Sequence, residues 1–111
     1  MRESISMKRS FWMVAVLLPA LAFAAGDSAA GKAVYDKACK SCHGADGTPN
    51  PGIAKSLKVE MKHLGSAEAQ APSDDDLKKI ITTGQGKMKP IKSVSGTAAD
   101  DVVAYMRTLK K

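Results

Sequence analysis

Residues 39–43 read Cys-Lys-Ser-Cys-His. Two thiols three positions apart can add across the two vinyl groups of one porphyrin. An imidazole in the very next position then falls beneath the metal and becomes an axial ligand. This C-x-x-C-H spacing is the attachment signature of a c-type haem. Further on, Gly86-Lys87-Met88-Lys89-Pro90 offers a thioether for the opposite face. Together the two segments predict a small electron-carrying haemoprotein. Cys39 and Cys42 are its candidate covalent attachment points, and His43 and Met88 its candidate iron ligands.

The same residues have plainer uses. Cys39 and Cys42 could form a disulfide, but the loop closed would be tiny and would stabilise little. They could also form a thiol–disulfide exchange site, which normally opens a helix in a βαβ setting and leaves His43 unexplained. For the sixth iron position the rivals of Met88 are Met61, His63 and an open site. A His63 ligand would give a lower potential. Met106 falls on the apolar stripe of a helix and reads as core.

These residues need elements to position them, and the signals are helical. No internal repeat or strand-like alternation is evident. A first helix is predicted over roughly 29–39, with Ser28 as N-cap and Ala30, Ala33, Val34 and Ala38 on one face. A second starts at Ser73, followed by three aspartates that suit the positive end of a helix dipole, and stops at Gly84. A third starts with Thr97 as its cap, with Val102, Tyr105, Met106 and Leu109 at helical spacing. Residues 53–64 can hold a short helix, 66–72 read as a polar connector, and 84–96 read as an irregular loop carrying Met88.

At the N-terminus, Arg2, Lys8 and Arg9 precede an apolar run from Phe11 to Phe23, and Ala22-Phe23-Ala24 follows the small-x-small rule. The run is short of the roughly 20 residues a bilayer span needs. Residues 1–24 are therefore expected to be a cleaved secretory signal peptide, leaving a single domain over 25–111 in the periplasm. The only tryptophan, Trp12, leaves with the leader. What remains has few large apolar side chains, and a buried prosthetic group would supply the missing core volume.

The chain carries a net charge of +6. Beyond the leader the cations are lysines scattered among acids, with Arg107 the one arginine. A nucleic-acid binder would show a denser basic stripe, so nucleic acid is not an expected partner. Lys40, Lys87, Lys89 and Lys92 cluster in sequence with the two haem-binding segments. They suggest a docking face for redox proteins with acidic surfaces.

Over residues 26–111 the chain resembles class I cytochrome c, of the small bacterial monohaem kind. Gly31-Lys32-Ala33-Val34-Tyr35, followed by Cys39 to Gly44, is similar to the family's opening helix and haem motif. Asp101 to Leu109 resembles its closing helix, and Gly86-Lys87-Met88 its sulfur-delivering loop. The resemblance implies an all-α, single-domain fold of three to four helices around one haem. It implies that the first and last helices cross with Gly31 against Tyr105. It also implies that His43 donates its second nitrogen to a proline carbonyl, Pro51 before Pro49. The function implied is electron carriage by a His43/Met88-ligated haem c, in a monomer that is not an enzyme and can touch membrane complexes peripherally. A five-coordinate haem enzyme or gas sensor, and a haem-free thiol oxidoreductase, are the alternatives.

Overall fold

The computed structural model describes residues 26–111. The leader expected over residues 1–24 lies outside the described residues. Six helical segments follow one another, and no strand occurs among the described residues beyond an isolated bridge between Gln85 and Met88.

Each helix start follows from a local side chain. α1 (Ser28–Ala38) is capped by Asp27, whose carboxylate accepts hydrogen bonds from the Ala29 and Ala30 amides at 2.9 and 3.3 Å. The expected cap, Ser28, is instead the first helical residue. The carboxylate one position earlier reaches the same orphan amides and adds negative charge at the positive end of the dipole. α1 breaks at Cys39 (φ −121°), and one further turn, α2 (Lys40–His43), ends at Gly44 (φ 73°).

α3 (Pro51–Leu57) starts on an Asn50 side-chain cap with proline in the first turn. It begins and ends earlier than the 53–64 window, stopping at Lys58 in the left-handed conformation. α4 (Ala67–Gln70) is a single turn capped by Ser66, in a segment expected to be a plain connector. α5 (Asp74–Thr83) matches its expectation at both ends. Ser73 Oγ accepts from the Asp76 amide at 3.1 Å, and Gly84 (φ 80°) stops the helix. α6 (Thr97–Thr108) begins after Gly96, and Thr97 makes no cap. The two segments beyond the expected three to four are the four-residue turns α2 and α4.

The core is one cluster. Tyr35, Leu77, Val94, Ala99, Val102, Val103 and Met106 are buried within it. α1 crosses α6, as expected for the first and last helices. The crossing is close because Gly31 has no side chain. A Cβ there would collide with the Asp101 carbonyl and lie 3.0 Å from Tyr105 Cβ. Next to it the Tyr35 and Tyr105 rings pack 5.0 Å apart at 57°, a tilted aromatic pair. Asp27 N donates to Asp101 Oδ1 at 2.8 Å and locks the start of α1 onto α6. The result is an all-α single domain with crossed terminal helices.

Candidate cofactor site

The crossing leaves a cavity of about 350 Å³ beside it. That is within the range of ligand pockets. Tyr35, Cys39 and His43 line it from α1 and α2, Leu77, Ile80 and Ile81 from α5, and Val102 and Met106 from α6. Met88 lines it from the loop beyond α5. Three of the four sequence-predicted site residues, Cys39, His43 and Met88, therefore share one cavity. Cys42 is half-buried a turn away, and both cysteines are free thiols. Neither Met61 nor His63 lines the cavity. His63 is used elsewhere, its Nδ1 accepting a hydrogen bond from the Gly65 amide at 2.8 Å.

Local chemistry explains how each side chain is placed. Cys39 is the end of α1, its amide donating to Tyr35 O at 2.9 Å, so its sulfur stays on the buried face of that helix. His43 closes α2, and the chain behind it is pinned by Tyr35. The phenol hydroxyl donates to Gly44 O at 2.6 Å and lies 3.4 Å from His43 O. The following loop folds back, with Asn50 N on Cys42 O at 2.9 Å and Asn50 Nδ2 on Ser41 O at 3.3 Å.

Met88 is presented by a two-residue turn. Gln85 and Met88 exchange both backbone hydrogen bonds at 2.9 Å around Gly86-Lys87, and Ile91 N returns to Ile81 O at 2.8 Å. Gly84 makes the turn possible. Its φ is 80°, and a Cβ there would sit 2.7 Å from Met88 O and 2.9 Å from Pro90 Cδ.

Burial sets the electrostatics. It pushes the His43 pKa below its ordinary 6.5, so the imidazole is neutral near pH 7, as a metal ligand must be. Burial, with Cys42 nearby, pushes the Cys39 thiol up to about 11. An exchange-active cysteine needs the opposite shift. The expected hydrogen bond from His43 to Pro51 or Pro49 is not formed. His43 Nδ1 is buried without a partner, because Asn50 and not a proline carbonyl folds back on the motif.

A haem fits these residues. The His43 imidazole, the buried Cys39 thiol and the Met88 thioether line one largely apolar cavity. Among the described residues no group of three or more His, Cys, Asp and Glu could hold a bare metal ion. An ion held here would need further donors from a macrocycle.

An all-α domain with crossed terminal helices, a C-x-x-C-H turn and a thioether loop around one cavity defines a small c-type cytochrome-like fold. The solved structure of the KustC0563 c-type cytochrome is similar to it, with a TM-score of 0.61 and 31% identity over 73% of this chain and 98% of that one. The chain belongs to the family described as cytochrome c oxidase, cbb3-type, subunit III, which matches residues 26–106. No curated protein matches it significantly.

The family corrects one expectation. The resemblance to class I cytochrome c implies a monomer, whereas the family's description is of a subunit of an oxidase. Subunit association leaves no motif in so short a chain. Membership of a family of oxidase subunits III agrees with the reading that the chain is not itself an enzyme. Lys40, Lys87, Lys89 and Lys92 are all exposed. Among the described residues no helix is long and apolar enough to cross a membrane.

Proposed function

We propose that the chain is an electron-transfer module of an oxidase, carrying one haem c in the class I manner. Cys39 and Cys42 would hold the porphyrin through thioether bonds, and His43 and Met88 would ligate its iron. Residues 1–24 direct export, so the domain works in the periplasm. When bound, the group supplies a one-electron couple between ferrous and ferric iron.

The protein's own residues do the rest. Tyr35 pins the backbone behind His43 and so fixes its ring. The Gln85–Met88 turn delivers the thioether, whose soft sulfur favours the reduced state. Leu77, Ile80, Ile81, Val102 and Met106 keep the cavity apolar. With His43 and Met88 both bound to it, the iron would have no site left for a substrate.

The observation that carries this reading is the convergence of Cys39, His43 and Met88 on one apolar cavity from three separate elements. The test is the visible spectrum and intact mass of the exported protein, made in a host that attaches haem c. One covalent haem is expected, and Cys39→Ala with Cys42→Ala should abolish it. Covalent haem retained in that double variant refutes the assignment. Rapid carbon monoxide binding by the reduced wild type would favour a five-coordinate enzyme or sensor.

A further inference from the structure

The cavity wall opposite the haem motif has an unusual foundation. Leu64, Glu68, Ala69 and Pro72 all line the cavity, yet they belong to the segment around α4. That helix is one turn long and buries none of its residues. Apolar contact here comes from Leu64 and Ala69, which pack half-buried against the core.

Polar bonds add to this: Leu64 N donates to Gly47 O at 3.0 Å and Lys111 N to Gly65 O at 2.9 Å, and the side-chain bonds converge on one residue. Arg107 of α6 turns its guanidinium toward the segment. Nη1 donates to Gln70 O at 2.7 Å and Gln70 Oε1 at 3.1 Å. Nη2 donates to Pro72 O at 2.7 Å, and Nε to Asp74 Oδ1 at 2.9 Å. Nη2 also lies 2.9 Å from the same carboxylate oxygen. Gln70 closes the network, its Nε2 donating to Leu64 O at 2.7 Å and Met106 O at 3.1 Å. Residues 64, 70, 72 and 74 are thus tied to α6 by two side chains. Only a planar fork of donors can serve so many acceptors at once; a lysine ammonium is a point charge on a flexible stem.

We propose that Arg107, acting with Gln70, is the positioning residue for this wall: it holds residues 64–74 closed over the cavity and keeps water away from the bound cofactor. The role rests on the haem reading of the cavity. Water admitted there would stabilise the more highly charged ferric state, so the clamp raises the reduction potential.

The test uses the full haem-loaded protein with Arg107→Lys, Arg107→Gln and Gln70→Met. Amide hydrogen exchange and the midpoint potential are measured for each. Exchange at residues 64–74 should rise at least about tenfold in both Arg107 variants, since hydrogen bonds to a charged group are lost. Amides within α1 should change less than about twofold on the same local-opening argument. The potential should fall, with Gln70→Met shifting both readouts in the same direction. Unchanged exchange at 64–74, a uniform rise across α1 and α6, or opened exchange with an unmoved potential each overturn the proposal. If the wild type proves to hold no covalent haem, the cofactor reading fails by itself, and the exchange pattern of the unloaded chain still decides whether Arg107 is the clamp.

Discussion

Tyr35→Phe isolates a single hydroxyl. The ring is 1% exposed and packs against Tyr105, and phenylalanine keeps that packing. What is lost is the donor to Gly44 O at 2.6 Å. A neutral hydrogen bond contributes about 1 kcal/mol net, and a stranded buried carbonyl costs about 1–3 kcal/mol. Gly44 O keeps a long contact from the Gly47 amide at 3.5 Å, which places the cost toward the lower end. The expected loss is about 1–2 kcal/mol, or roughly 5–15 °C in Tm for a domain of this size.

The pH dependence gives a second handle on the same hydroxyl. Burial raises the Tyr35 pKa above its ordinary 10.0. The native state therefore keeps the proton where the unfolded chain has released it. That contribution to stability is intact below pH 10 and is lost as pH climbs above it. Phenylalanine has nothing to ionise, so the gap between wild type and variant should narrow above pH 10. The assay is urea unfolding of the haem-loaded proteins, followed at two wavelengths, from pH 7 to 11. A variant within about 0.3 kcal/mol of wild type at pH 7, too little for a lost buried bond, refutes the pinning of the His43 turn. So does a gap that stays constant to pH 11.

Met88→Ala should open an axial site, lower the reduction potential and create affinity for carbon monoxide, while Met61→Leu leaves all three nearly unchanged; titration of the reduced proteins checks both, and a reversal moves the ligand role. Gly31→Ala gains helix propensity but forces α1 off the Asp101 carbonyl, so overpacking should win by about 1–3 kcal/mol, read as a lower urea midpoint with an unchanged m value. The mass of the chain recovered after export should correspond to a start at Ala25, and a product still carrying Phe11 to Phe23 counts against removal of the leader.

The parts of this molecule legible in its sequence are those whose physics is local. Cys39, Cys42 and His43 declare themselves by spacing alone. Ser73 and Gly84 bracket α5 because a cap and a stop act within one turn. Local reasoning also explains the errors. Ser28 and Asp27 are both competent caps one position apart, and the carboxylate wins by charge. Thr97 follows a glycine with positive φ, so its hydroxyl has no cap geometry to adopt. The crossing of α1 and α6 is legible only through the family resemblance, and other long-range features left no trace. Arg107 and Gln70 are 37 residues apart in sequence, and nothing in either neighbourhood announces their pairing. Whether His43 Nδ1 finds a carbonyl depends on how residues 49–51 fold back, which no pattern in the loop specifies, and here it finds none. That Met88 and not His63 lines the cavity is likewise a matter of tertiary placement.

The bond between Asp27 and Asp101 spans 74 positions. The clasp of α1 on α6 thus turns the chain between them into a closed ring with its seam at the two ends. Lengthening a flexible ring costs little, about 0.6 kcal/mol for each doubling of a loop. Breaking the seam releases the whole ring. Insertions should therefore be tolerated best in the exposed stretch after α3, near residues 58–61, while even short trimming at residues 26–31 or 101–109 undoes the domain. The ends of the described domain, not its middle, set the limit on how far its length can change.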